Sequence, residues 1–181
     1  MSILKGVHHV AYRCKDAKET VEWYQKHLGA DFVLAIAEDQ VPSTKEPDPY
    51  MHIFLNVGGN NILAFFELPT KPEMGRDENT PVWTQHLALR VESMDTLLAT
   101  KEKLIAGGVD VLGPVNHTLF QSIYFFDPSG HRIELACDTS TPKMDRAIDK
   151  VKWDMLNEWA QTKRAPQHAR WIHDGSEPPE V

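Results

Sequence analysis

The chain has 181 residues, of which 41% are hydrophobic and 25% are charged, and its formal net charge is -7. These values are ordinary for a globular protein and suffice for one well-buried domain or for two small modules that share a core. The net negative charge argues against nucleic acid and anionic membranes as partners.

The sequence contains no apolar run of about 18 residues and no N-terminal apolar segment, so we expect neither a membrane span nor a signal peptide. Its two cysteines, Cys14 and Cys137, fall in predicted strands. Small buried cysteines of this kind are typical of a reducing compartment. The sequence therefore predicts a cytoplasmic protein.

The first half of the chain predicts the element order β-α-β-β-β. Residues 6–14 form a strand, Asp16 is the N-cap of a helix, and Gly29 ends that helix. A proline-rich loop and a Gly-Gly-Asn-Asn hairpin turn separate the strands that follow, which are predicted at residues 31–37, 50–57 and 62–68.

The same order begins again after a polar linker at residues 69–82. A strand at 85–91 precedes a helix capped by Ser93, which ends at Gly107. Three strands complete the second unit, at residues 109–112, 121–126 and 131–137. A repeat of about 77 residues is a strong fold signal. We predict an α+β fold of two paired βαβββ modules, residues 5–68 and 83–138.

Residues 139–181 form a C-terminal extension of different character. Apolar residues recur at helical spacing from Pro142 to about residue 164, which predicts one amphipathic helix. Such a helix packs on its own domain or on a neighbouring subunit, so we expect a homo-oligomer. The last residues of the chain are expected to be loose.

Two histidines occupy equivalent places in the repeat. The segment beginning His9-Val10-Ala11 matches the segment beginning His86-Leu87-Ala88, and Glu134 lies on the last strand. Each histidine alone is more simply a satisfied strand residue, but packing gives no reason to repeat it in both modules. Two imidazoles and one carboxylate form a ligand set that suits Fe(II) and Mn(II).

At these residues the sequence resembles a known family. The paired modules, the openings H-V-A-Y and H-L-A-L, and the stretch F-D-P-S-G-H-R-I-E resemble the vicinal oxygen chelate superfamily. That superfamily includes glyoxalase I, methylmalonyl-CoA epimerase, fosfomycin-resistance proteins and extradiol ring-cleavage dioxygenases. The resemblance covers residues 5–138 and leaves the extension outside. It implies that the two modules form a cup-shaped mixed sheet around a metal site.

One part of the pattern resembles the extradiol signature in particular, with His117, Tyr124, the D-P-S-G turn and Glu134 at matching spacing. The resemblance implies a one-domain dioxygenase that cleaves a catechol-like vicinal diol with O2. It implies that His9, His86 and Glu134 bind Fe(II), with Mn(II), Zn(II), Co(II) or Ni(II) as alternatives. It also implies that His117 and Tyr124 form hydrogen bonds with the bound aromatic substrate.

Two positions depart from that signature. Asn61 stands where two-domain extradiol enzymes carry an acid-base histidine, and an amide cannot transfer a proton at neutral pH; His8 and His52 are substitutes for that role. Glu67 lies near the place where glyoxalase I and the epimerase have a fourth ligand, which keeps a metal-dependent lyase or isomerase open as an alternative. A second alternative is a metal-free drug-binding protein of the bleomycin-resistance type.

Overall fold

The computed structural model describes residue 3 and residues 6–180, so the predicted start of module one at residue 5 lies outside the described residues. Module one contains one helix and four strands: β1 (Val10–Cys14), α1 (Ala17–Leu28), β2 (Asp31–Gln40), β3 (Pro47–Asn56) and β4 (Ile62–Glu67).

Module two repeats the order of module one, which confirms the predicted βαβββ repeat. Its elements are β5 (Leu87–Arg90), α2 (Met94–Ala106), β6 (Leu112–Asn116), β7 (Phe120–Phe126) and β8 (Arg132–Asp138). The extension contributes α3 (Pro142–Thr162) and α4 (Trp171–Asp174). None of the described helices has the length and apolar composition needed to cross a bilayer.

Local chemistry explains where the two repeat helices begin and end. The Asp16 carboxylate accepts a hydrogen bond of 2.7 Å from the backbone N–H of Glu19, and the Ser93 hydroxyl accepts one from Thr96. Side chains of this kind satisfy N–H groups that the first helical turn leaves free. Helix α1 ends at Gly29, whose φ of 69° lies in the left-handed region that glycine adopts most easily.

Each module forms its own four-stranded mixed sheet. The strand orders are β1-β4-β3-β2 and β5-β8-β7-β6, and the first pair in each sheet is parallel. No strand pairing joins the two sheets within residues 6–180. The predicted α+β fold of two paired βαβββ modules is therefore confirmed, and it takes the form of two separate four-stranded sheets.

One core is shared by the helix-bearing faces of both sheets. It contains Tyr24 of α1, Leu97 and Leu104 of α2, Phe65 of β4 and Phe125 of β7. Helices α1 and α2 contact each other and so help to hold the two sheets together. The opposite face of each sheet bears neither repeat helix and is called the open face below, although Glu134 and His52 on it are nearly buried.

Exposed apolar side chains mark these open faces. Leu34 and Ile36 on β2 are 44% and 42% exposed, and Leu112 and Phe126 on the second sheet are 61% and 43% exposed. Large exposed apolar patches on a folded chain usually mark an interaction site.

The second strand of module two differs from its prediction at residues 109–112. The structure has β6 at Leu112–Asn116, while Val109 and Val111 pack against the core. Pro114 lies inside β6, and a proline is tolerated there because β6 is an edge strand with one unpaired side.

The C-terminal extension begins as predicted, since helix α3 matches the expected amphipathic helix. The residues after it fold back, whereas residues 175–180, in the stretch expected to be loose, have no regular secondary structure and are exposed except at Pro178. Ala169 and Trp171 are 3% and 5% exposed, and Pro178 is buried. Burial of the large apolar ring of Trp171 stabilises this folded-back segment.

Candidate metal and substrate site

His86 and Glu134 meet on the open face of module two. His86 directly precedes β5, and the parallel pairing of β5 with β8 places Ala88 opposite Glu134. The His86 Nε2 atom lies 2.8 Å from Glu134 Oε2. Glu134 is only 3% exposed, whereas the His86 side chain is 30% exposed. A buried carboxylate beside a partly exposed imidazole is an N/O donor pair of the type that binds divalent metals.

Ser122 holds the second oxygen of that carboxylate. Its hydroxyl donates a hydrogen bond of 2.5 Å to Glu134 Oε1, and Ser122 is fully buried. Our sequence reasoning did not identify Ser122. Its position could have been predicted from Tyr124, because residues two apart on a strand lie on the same face and Tyr124 was already a candidate site residue.

His117 and Tyr124 form a second pair beside Glu134. The His117 Nε2 and Tyr124 Oη atoms are 2.9 Å apart, and Tyr124 lies opposite Glu134 in the β7–β8 pairing. Burial raises the pKa of the Tyr124 phenol, and the Glu134 charge raises it further. The guanidinium of Arg132 lies 4.2 Å from the centre of the Tyr124 ring. Tyr124 is therefore held as a neutral phenol.

His9 lies on the open face of the other sheet. Its ring is 5.8 Å from the ring of Phe54 and 6.4 Å from that of His52, and its Nδ1 is 2.7 Å from the Nδ1 of His8. Across the described part of the chain, no three His, Cys, Asp or Glu side chains are grouped closely enough to share an ion. The predicted convergence of His9 with His86 therefore does not occur within one chain. The physical reason is that β1 and β5 belong to separate sheets.

Glu67 is engaged elsewhere. It lies on the same face of β4 as the core residues Leu63 and Phe65. Its Oε2 atom accepts a hydrogen bond of 2.7 Å from the backbone N–H of Ala17. Ala17 is the first residue of α1, so the carboxylate caps that helix on the helix-bearing face. This position does not support a fourth metal ligand beside His9.

Asn61 has a structural partner in the β3–β4 turn. Its side-chain amide donates to the carbonyl of Gly58 at 3.0 Å, and Gly58 itself has a φ of 115°.

His52, a candidate for the acid-base role, is 9% exposed and its ring stacks on Phe66 with centroids 3.5 Å apart. Burial lowers the pKa of His52, so this imidazole is held in its neutral form.

A cavity of about 430 Å³ borders His86, on the side of the linker and the β7–β8 turn. Three cationic side chains line it, Lys15, Arg76 and Arg132, together with the carboxylate of Asp77. A volume of this size suits a small molecule. The excess of positive charge favours an anionic one.

Comparison with known proteins places this arrangement in a family. A sequence model of the Glyoxalase/Bleomycin resistance protein/Dioxygenase superfamily matches residues 6–135. The chain belongs to this superfamily. That membership confirms the resemblance to vicinal oxygen chelate proteins, and it covers both βαβββ modules.

The chain also resembles individual proteins, three of them at 20–25% sequence identity. The metallothiol transferase FosB of Shouchella clausii is 25% identical over 157 residues, which cover 85% of this chain and 94% of FosB. A domain from Frankia sp. EAN1pec, described as glyoxylase/bleomycin resistance protein/dioxygenase, has a TM-score of 0.59 at 22% identity and covers 75% of this chain and 98% of its own. The fosfomycin resistance protein FosX of Listeria monocytogenes, in complex with Mn(II) and sulfate, has a TM-score of 0.55 at 20% identity and covers 76% and 95%.

These members do not support the expected closeness to extradiol enzymes. FosB is named a metallothiol transferase and FosX a fosfomycin resistance protein. The superfamily model ends at residue 135, so the C-terminal extension lies beyond it.

Proposed function

We propose that this protein is a metal-dependent enzyme that adds a nucleophile, a thiol or water, to a small anionic substrate, as a resistance enzyme of the FosB and FosX kind. The observation that carries the proposal is the His86–Glu134 donor pair beside a cationic cavity. The names of FosB and FosX support it, as does the Mn(II) bound to FosX.

The residues of this chain fit a divalent metal such as Mn(II). Glu134 is buried, its second oxygen is held by Ser122, and His86 reaches it from the neighbouring strand. His86 and Glu134 would hold the ion, with His9 as the third ligand. When bound, the metal supplies a Lewis acid that polarises an oxygen of the substrate.

His9 would come from a second copy of the chain. Within one chain it lies on an open sheet face, exposed beside Phe54 and His52. The second module has an open face that carries His86 and Glu134. Two copies that join these faces around a two-fold axis complete two equivalent sites and cover the exposed apolar side chains of both sheets.

The cationic cavity would bind the anionic group of the substrate. A guanidinium offers donors in a planar fork that matches the oxygens of a carboxylate, phosphate or phosphonate. Arg132 is well placed for this role because the Tyr124 ring supports it from one side. Arg76 is similarly supported by the ring of Phe126, 5.7 Å away.

The His117–Tyr124 pair would manage the proton of the reaction. A nucleophile that opens a carbon–oxygen bond forms one bond to carbon, and its proton must reach the oxygen that is released. Tyr124 is a neutral donor that can give a proton from Oη, and His117 Nε2 can restore it across 2.9 Å.

The shared site is tested by mixing two inactive variants. His9→Ala and Glu134→Ala each remove one ligand from every site of a homodimer. A mixed dimer of the two variants has one complete site, made by His9 from the Glu134→Ala copy and by His86 and Glu134 from the His9→Ala copy. We expect one tightly bound Mn(II) per mixed dimer and none in either pure variant. If mixing restores no binding, the shared site is wrong.

The chemistry is tested by phosphorus NMR of fosfomycin incubated with the Mn(II)-loaded protein, in water alone and with L-cysteine. We expect the phosphonate resonance to be replaced by that of an adduct in one of the two arms, and no reaction with Glu134→Gln. Absence of product in both arms, from protein that holds its metal, would refute this activity. Protein that does not hold metal at all would instead favour the metal-free binding-protein alternative.

Catechol cleavage is the second candidate, and the His117–Tyr124 hydrogen bond beside Glu134 favours it. A phenol and an imidazole at this distance suit the stabilisation of charge on a bound diol. Protein reconstituted anaerobically with Fe(II) and then given catechol and O2 would form a yellow ring-fission product if this candidate is right.

A further inference from the structure

The C-terminal extension folds back towards the hairpin between β6 and β7. Lys143, in the first turn of α3, pairs with Glu180 at 2.9 Å and lies 3.7 Å from Glu177. Near the middle of this returning segment, the carbonyl of Ile172 accepts a hydrogen bond of 2.6 Å from the hydroxyl of Thr118. The extension is thus tied directly to the residue that follows His117.

Thr118 has an unusual backbone. Its φ is 70°, in the left-handed region, which is a rare conformation for a β-branched residue. Such a conformation persists only where the surroundings fix it, and outliers of this kind concentrate at functional sites.

Hydrogen bonds hold Thr118 from both sides. Its N–H donates to Asn116 Oδ1 at 2.7 Å, from within the hairpin. Thr139, the first residue of the extension, donates from its hydroxyl to the Thr118 carbonyl at 3.3 Å and from its N–H to the Leu119 carbonyl at 2.9 Å. With the Ile172 contact, the extension supplies three of these four bonds.

The conformation of this hairpin determines where His117 lies. The His117 N–H donates to the carbonyl of Phe120, and the two rings pack with centroids 4.8 Å apart. From this position Nε2 reaches Tyr124 Oη at 2.9 Å. A change of backbone conformation at the next residue would redirect the imidazole away from the phenol.

We propose that the C-terminal extension positions His117 in the site, and that Thr118 is the positioning residue through which it acts. The extension then acts on the site through the β6–β7 hairpin, from beyond residue 135, where the match to the superfamily model ends. The importance of His117 to the reaction rests on the proposed function. The structural coupling does not.

The test compares Thr118→Val with Thr118→Ser in the full-length protein. Valine keeps the β-branched shape and removes the hydroxyl, whereas serine keeps the hydroxyl that reaches Ile172. The measurement is long-range proton–nitrogen NMR of the His117 ring at one pH at which the imidazoles are neutral, with the signals assigned through His117→Gln. We expect Thr118→Val to move the Nε2 shift towards that of a free imidazole, and Thr118→Ser to keep the native shift.

Two further variants make the result specific. Trp171→Ala acts from the extension, next to Ile172, and should move the His117 signals in the same direction as Thr118→Val. Thr162→Val is the matched control, because the Thr162 hydroxyl makes only local contacts at the end of α3: it donates to the Glu158 carbonyl and accepts from the backbone N–H of Arg164. This variant should change nothing at His117. Native His117 signals in both Thr118→Val and Trp171→Ala would overturn the proposal, and so would equal effects of valine and serine at residue 118.

This experiment needs neither substrate nor metal, so its failure is distinct from failure of the proposed function. Where fosfomycin turnover is found, Thr118→Val should lower kcat roughly 10- to 100-fold, as expected for a misplaced reacting group, and leave Mn(II) affinity unchanged.

Discussion

The phenol of Tyr24 donates a hydrogen bond of 3.1 Å to the carboxylate of Asp127, 103 residues further along the chain. Tyr24 lies on α1 of module one, and Asp127 begins the turn between β7 and β8 of module two. The same turn makes two more contacts with module one, from the ring of His131 to the Arg13 carbonyl and from the Lys15 N–H to Ser129. The D-P-S-G-H stretch thus joins the modules as well as turning the chain.

Asp127 should make stability depend on pH. Burial raises the pKa of its carboxyl above the ordinary value of 3.8, despite hydrogen bonds from Tyr24 and the His131 N–H. A folded-state pKa above the unfolded value means that the folded chain binds the proton more tightly. The resulting stabilisation is complete below pH 3.8 and is lost as the pH rises through the raised pKa.

Urea unfolding of the wild type and Asp127→Asn at a series of pH values measures this contribution. We expect the wild-type free energy of unfolding, minus that of the variant, to fall as the pH rises across that window. Asp77→Asn is the control, because hydrogen bonds from Thr80 and Asn79 hold the pKa of Asp77 below its usual range. Its difference should rise with pH instead. A difference for Asp127→Asn that is flat or rises with pH would contradict the assignment.

Glu67 should matter for stability and not for metal binding. Glu67→Gln weakens the hydrogen bond to the Ala17 N–H, which caps α1, and should cost about 0.5–2 kcal/mol of unfolding free energy. Mn(II) binding, followed by titration calorimetry, should remain as in the wild type. Glu134→Gln provides the contrast, since it removes a proposed ligand and should abolish binding. Equal loss of affinity in both variants would restore Glu67 as a fourth ligand.

The fold could be predicted from local sequence patterns, whereas the assembly of the site could not. Caps such as Asp16 and alternation along strands depend on neighbours within a few residues, so the repeat and its element order were confirmed. Which histidine completes the ligand set of His86 and Glu134 depends on how two modules meet. Nothing in the local sequence pattern decides whether β1, which follows His9, faces β5 of the same chain or of another chain.

The position of Glu67 shows how much depends on one step of alternation. Leu63, Phe65 and Glu67 are two residues apart along β4, so all three point to the core face, and this could be predicted from the sequence. The N–H that occupies the Glu67 carboxylate, by contrast, belongs to Ala17, 50 residues earlier. The contact of the extension with the β6–β7 hairpin was not predicted for a similar reason, because the Thr118 hydroxyl and the Ile172 carbonyl are 54 residues apart.

Ser122 should tune the metal site without being a ligand. Its buried hydroxyl donates to Glu134 Oε1, which leaves Oε2 directed towards His86. Ser122→Ala removes that bond and leaves one oxygen of a nearly buried carboxylate without this donor. Loss of a group that orients a ligand typically lowers metal affinity by about 10- to 100-fold. We expect a decrease of this size in Mn(II) affinity, measured by competition with a chelating dye.

Ser93→Ala is the matched control for this change. The Ser93 hydroxyl accepts a hydrogen bond from the backbone N–H of Thr96 and lies 3.0 Å from the Thr96 hydroxyl. It caps α2 and lies outside the site. This variant should cost about 1 kcal/mol of unfolding free energy, as the loss of an N-cap does, and leave Mn(II) affinity as it is. If both serine variants lower the affinity equally, the effect is a general loss of stability. If Ser122→Ala binds Mn(II) as tightly as the wild type, Glu134 does not depend on Ser122 for its orientation.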